Sequence, residues 1–152
     1  MAGKYFEELQ VGMSFAHEPA RTVTETDNLL FTTLTHNSQP LHLDREFAEN
    51  TQFGQILVNS IFTLGFVVGV SVADTTLGTT IGNLGFDRVE FPNPVFIGDT
   101  IRVTTQVVDR RESRSRPEWG IVTFEHVGTN QRDQVVCRAL RKAMMLRKAQ
   151  AT

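Results

Sequence analysis

Cysteine is almost missing from this chain: Cys137 stands alone among 152 residues, so no internal disulfide can form and nothing points to an oxidising compartment. An excess of one charge is missing too. Fifteen Lys+Arg against 17 Asp+Glu leave a net charge of -2, which gives the chain no electrostatic reason to seek nucleic acid or an anionic membrane. The opening MAGKYFEELQVG holds no apolar run and does not read as a signal peptide, so a cytoplasmic protein is expected. Ser/Gly linkers, low-complexity tracts and internal repeats are lacking, and one continuous domain over residues 1–152 is expected. HExxH, CxxC, P-loop and GxGxxG motifs are absent as well, so no metal and no nucleotide cofactor is expected. What is present is an apolar fraction of 40% with eleven Phe, enough to bury a core and to exclude disorder.

The pattern changes along the chain. Residues 24–74 read mainly as helix and residues 79–147 as successive strands. A first strand is expected over 14–23. Thr24 or Thr26 then caps a helix that carries Leu30, Phe31 and Leu34 inward and ends near His36-Asn37. Pro40 places a turn at Asn37-Ser38-Gln39-Pro40, and a short helix over 44–50 takes Asp44 as its cap. The stretch ILVNSIFTLGFVVGVSVA, residues 56–73, is apolar on every side and reads as a buried helix. Its Asn59, Ser60, Thr63 and Ser71 argue against a membrane span. Gly65 and Gly69 offer one side for close approach of a strand. Strands follow at 79–91, with Gly82 and Gly85 as bulge positions, from Ile101 to Val107, and at 119–127 and 135–146. Short connections make the sheet antiparallel, and a long sheet with one wholly apolar helix implies an α+β domain whose sheet wraps that helix.

Of His17, His36, His42 and His126, only His42 lies in a rigid frame, Asn37-Ser38-Gln39-Pro40-Leu41-His42-Leu43-Asp44. Leu41 and Leu43 can pack inward and fix the backbone beside the imidazole, which suits a general base. A histidine that only bonds a backbone carbonyl fits the same residues. Arg110, Arg111, Arg114 and Arg116 form a basic run between two strands; a solvated hairpin edge explains it, and phosphate contact is the functional alternative. Cys137 reads as a small buried hydrophobe. Asp74 has no evident partner.

The stretch TETDNLLFTTLTHNSQPLHLDREFAENTQFGQILVNS resembles the MaoC-like hydratases, the (R)-specific enoyl-CoA hydratase branch of the hot-dog fold. Pro40, Leu41, His42 and Asp44 match that family's loop, and FPNPVFIGDTIRV resembles its strand-turn-strand. The resemblance implies a hot-dog domain working as a homodimer. It also implies hydration of a 2-enoyl-CoA to a 3-hydroxyacyl-CoA, with the CoA thioester as substrate and no cofactor. The family pairs a loop Asp with a His five residues later; His42 takes the second position and Asn37 stands at the first. His42 is then the acid/base, Asn37 positions water through its oxygen, and the Ser60 amide, at the start of the central helix, stabilises the enolate oxygen. Asp27 and His36 are the nearest helpers in sequence. Asn59, Phe62, Arg114 and Arg116 are the expected substrate contacts, and Phe53, Phe62 and Phe66 can shorten the pocket. Asn37 removes a negative charge from the site, which favours an acyl group carrying its own carboxylate, of mesaconyl or itaconyl type. Two alternatives are a hot-dog thioesterase, for which the central helix offers no carboxylate before Asp74, and a non-catalytic acyl-thioester-binding subunit, which accounts directly for Asn37.

Overall fold

Alternating apolar residues build a single five-stranded antiparallel sheet in the computed structural model, which describes residues 3–148. The strands are β1 (Ser14–Thr22), β2 (Thr80–Glu90), β3 (Thr100–Glu112), β4 (Trp119–Thr129) and β5 (Val135–Leu146), in the order β1-β3-β4-β5-β2. Between β1 and β2 come α1 (Glu25–Leu34), α2 (Pro40–Leu43), α3 (Arg45–Glu49) and α4 (Ser60–Thr75). Helix α4 packs across β1, β3, β4 and β5, so the sheet wraps the long helix in the expected hot-dog arrangement. Glycine bends appear where expected, with register shifts between Thr80 and Gly82 and between Asn83 and Gly85. No described helix is long and apolar enough to cross a membrane.

Helix α4 begins at Ser60, later than the apolar run suggests. The Asn59 side chain accepts the Ile61 N–H at 3.0 Å and caps the helix there. Before it, Leu57 is extended and bridges to Phe96. Thr63, Val67, Ser71 and Thr75 form the stripe buried on the sheet. The opposite stripe is open: Ile61 is 55% exposed, and a Cβ at Gly65 or Gly69 would meet nothing within 4 Å. The close approach expected at those two glycines is made instead by a strand glycine. A Cβ at Gly128 would lie 2.7 Å from Val67 Cγ2.

Helix α1 starts in a capping box, with Asp27 N–H donating to Thr24 Oγ1 (3.2 Å) and Thr24 N–H to Asp27 Oδ2 (2.8 Å). Its orientation differs from the expected one. Leu30 and Leu34 are 56% and 70% exposed, while Asn28 and Thr32 are buried. The polar face turns inward because it is the face that hydrogen-bonds to the neighbouring loop and helix. Phe31 is half-buried and lies edge-on to Phe62 at 5.9 Å. Asp44 caps α3 by accepting the Phe47 N–H at 3.0 Å.

Candidate active site

The loop after α1 is shaped by its own polar atoms. His36 adopts φ +56°, the left-handed conformation that commonly ends a helix. Asn37 N–H then donates to Thr32 O at 3.0 Å, and Asn37 Oδ1 accepts the Gln39 N–H at 3.0 Å. Pro40 opens the single-turn helix α2, where its missing N–H leaves no bond unmade. Leu43 does not pack inward; it is exposed. The backbone is held instead by Asn28 Nδ2 donating to His42 O (3.0 Å) and Leu57 N–H donating to Leu41 O (3.2 Å).

His42 Nδ1 lies 2.7 Å from Leu57 O. A carbonyl oxygen can only accept, so Nδ1 carries a proton, and in the neutral form of the ring Nε2 is the bare nitrogen. That is the tautomer a general base needs. Asn37 uses one of the two lone pairs of its oxygen within the loop. Its oxygen is engaged by the Gln39 N–H, while its Nδ2 makes no hydrogen bond among the described residues, so the amide NH2 is what Asn37 presents.

Ser60 is the first residue of the 16-residue helix α4, and its N–H has no partner among the described residues. Unpaired N–H groups at the positive end of a helix suit a developing oxyanion. A cavity of about 210 Å³ opens beside it, with Phe53, Leu57, Ser60, Thr63, Phe91 and Val95 in its wall. The Thr63 hydroxyl is buried without a hydrogen-bond partner. Leu57 thus belongs both to this wall and to the anchor of His42.

Other expected contacts fall elsewhere. Asn59 is buried with both ends of its amide used internally, Oδ1 by Ile61 N–H and Nδ2 by Thr32 Oγ1 at 3.3 Å, so it serves as a cap rather than a substrate contact. Phe62 stacks on Phe66 at 6.2 Å, outside the cavity wall. Arg114 and Arg116 belong to the β3–β4 connection, beside the end of β5 where Trp119 pairs with Leu146; the cavity lies at the other end, against Val136. There the Arg116 guanidinium covers the Trp119 ring at 5.2 Å, as a hairpin-edge residue. Asp27 is committed to Thr24 and Arg21, and its backbone and side-chain hydrogen bonds hold its pKa below the ordinary value even against desolvation.

The remaining buried histidines form a separate construction that the sequence reading missed. Arg141 Nε–H donates to His126 Nε2 at 3.1 Å, so the His126 proton sits on Nδ1, 2.8 Å from Thr105 Oγ1. The Thr105 hydroxyl then donates to His17 Nε2 at 2.8 Å, and His17 Nδ1–H reaches Asp74 Oδ2 at 2.6 Å. Burial, with Arg141 next in weight, pushes His126 down to about 3; burial lowers Arg141 to about 10 and raises the Cys137 thiol to about 11.

Comparison with known proteins places these features in context. The model of the MaoC like domain matches residues 7–130. The chain is 32% identical over 143 residues to Beta-methylmalyl-CoA dehydratase of Chloroflexus aurantiacus, covering 94% of this chain and 40% of that protein. It is also 32% identical over 145 residues to Mesaconyl-CoA hydratase of Haloarcula hispanica, covering 95% and 40%. The (R)-specific enoyl-CoA hydratase of Rhodospirillum rubrum is 31% identical over 124 residues, 79% of this chain and 77% of that one. Among solved structures, a Monoamine oxidase regulatory protein from Archaeoglobus fulgius superposes with TM-score 0.87 at 34% identity, covering 97% of both chains. A Mycobacterium tuberculosis protein described as a double hotdogfold superposes with TM-score 0.87 at 22% identity, covering 99% of this chain and 46% of that one, a likeness of fold. The chain thus spans about 40% of the length of the first two relatives.

Proposed function

The chain belongs to the MaoC-like domain family, and from that premise we propose that it catalyses the reversible hydration of a 2-enoyl-CoA to a 3-hydroxyacyl-CoA. The observation that carries this reading is the His42 tautomer, with Nδ1–H held on the carbonyl of Leu57, three residues before Ser60, whose N–H at the start of α4 is unpaired among the described residues. Nε2 takes a proton from water as the water oxygen bonds to the β-carbon. The electron pair moves to the thioester oxygen, where the Ser60 N–H stabilises it. A carboxamide exchanges no proton near neutral pH, so His42 also returns the proton to the α-carbon. The CoA thioester is the substrate, and no cofactor takes part.

The substrate class favoured by the loop is an acyl group with its own carboxylate. Asn37 presents an NH2 where a carboxylate would repel such a group, and two relatives are named for methylmalyl and mesaconyl thioesters. We assign the protein to the cytoplasm and read it as a homodimer. The open stripe of α4 and the exposed Ile81, Leu84 and Phe86 of the edge strand β2 are apolar surface that a second copy would cover. Arg114 and Arg116 lie away from the cavity of their own chain, so a CoA contact by them belongs to a site on that second copy.

The test is loss of conjugated thioester absorbance on crotonyl-, mesaconyl- and itaconyl-CoA, with free thiol followed in parallel. Wild type is expected to hydrate at least one of them, and His42→Ala to lose about 100-fold or more. Thiol release would assign a thioesterase instead, and binding without turnover would assign a carrier subunit.

A further inference from the structure

Three polar side chains are buried where α1, the His42 loop and the start of α4 converge: Asn28 is 2% exposed, Asn59 3% and Thr32 0%. Apolar residues of similar size would fill this space without needing partners, so the cluster calls for a reason beyond packing. Its centre is Asn28. Asn28 Nδ2 donates to the backbone carbonyl of His42 at 3.0 Å, and Asn28 Oδ1 accepts the backbone N–H of Asn59 at 2.9 Å. Asn59 is the residue next to Ser60. One planar amide therefore spans from the residue bearing the proposed base to the peptide preceding the proposed oxyanion donor. Thr32 steadies it from one turn further along α1, its hydroxyl 3.5 Å from Asn28 Oδ1 and 3.3 Å from Asn59 Nδ2.

We infer that Asn28 is a positioning residue that sets the distance between His42 and the Ser60 N–H, a role resting on the hydratase reading above. The task needs a donor and an acceptor at the two ends of a rigid group. Aspartate has no donor for the His42 carbonyl, leucine has neither, and glutamine is longer by a methylene. By taking up the Asn59 N–H, Asn28 also leaves Ser60 as the first unpaired N–H of α4. His42 and Ser60 come from separate segments, and displacements near 1 Å between catalytic groups lower rates on the order of 100-fold. Asn28 touches no substrate in this arrangement and acts through the backbone of the two groups that do.

The experiment compares wild type, Asn28→Ala, Asn28→Asp and the α1 surface control Thr33→Ala, each first shown to be folded by its thermal transition. Hydration kinetics are then read beside the ¹⁵N signals of the His42 imidazole and the Ser60 amide. Both Asn28 variants are expected to lose tenfold or more in kcat with KM within threefold, and Asn28→Ala to shift both signals. Thr33→Ala, whose hydroxyl bonds only to its own helix, is expected to change neither. A folded Asn28→Ala with wild-type kcat overturns the inference, as does a loss confined to KM. If wild type hydrates no enoyl thioester, the hydratase reading fails on its own, and the signals then decide: unshifted His42 and Ser60 resonances in Asn28→Ala overturn the positioning role.

Discussion

A carboxamide and a carboxylate share a shape and differ in what they offer a neighbour: one donates and accepts, the other only accepts and carries charge. At position 37 the Gln39 N–H engages the oxygen and leaves the NH2 without a partner among the described residues. Asn37→Asp is accordingly expected to lower the ratio of kcat/KM on mesaconyl-CoA to that on crotonyl-CoA by about tenfold or more, since it replaces a donor with a like charge. The ratio is insensitive to the amount of folded enzyme; an unchanged ratio would remove Asn37 from substrate selection. His42 was legible because a proline and a recognisable loop surround it. Asn28 was not, because a polar residue inside a helix reads as surface until its tertiary partners are known. The Leu57 carbonyl that sets the His42 tautomer carries no signal in a side-chain alphabet.

At the scale of elements, α4 shows both the strength and the limit of pattern reading. Its existence followed from an apolar run too long for a strand, but its start was set by the Asn59 cap and its orientation by which residues meet the sheet. Apolarity on all sides says that a helix is covered, without saying by what. Within one chain, Ile61, Gly65 and Gly69 are left outward, and the sheet ends in β2 with Ile81, Leu84 and Phe86 exposed. An unpaired, apolar edge strand is an invitation to pairing. Wild type is expected to sediment at twice the mass of the 17.1 kDa chain. Ile61→Lys combined with Leu84→Lys is expected to shift it toward monomer with hydration falling in parallel. Sedimentation of wild type as a monomer at micromolar concentration would reject the dimer. Helix α1 was misoriented from sequence for the complementary reason: its leucines mark a face, and the hydrogen bonds of Asn28 and Thr32 turn that face outward.

Across the whole molecule, the concave side of the sheet carries two apolar clusters, one around Val67, Val103 and Val136, the other around Val107, Phe124 and Met145. Between them runs the chain from Arg141 through His126, Thr105 and His17 to Asp74, one residue each from β5, β4, β3, β1 and α4. Because the folded His126 has a pKa near 3 and an unfolded histidine one near 6.5, the unfolded state binds the extra proton between those values. Stability is therefore complete above about pH 6.5 and falls as the pH drops, by up to about 1.4 kcal/mol per pH unit from this group. Urea midpoints at pH 7, 6 and 5, where carboxylates remain largely ionised, are expected to decline, and a flat series would contradict a buried neutral His126. The direction of this chain has a consequence for descent. Each of the three inner members, His126, Thr105 and His17, donates forward and accepts from behind, so replacing one strands the lone pair or proton of the next. Drift in a lineage of such proteins would then have to exchange these positions as a block, through intermediates weaker than either end.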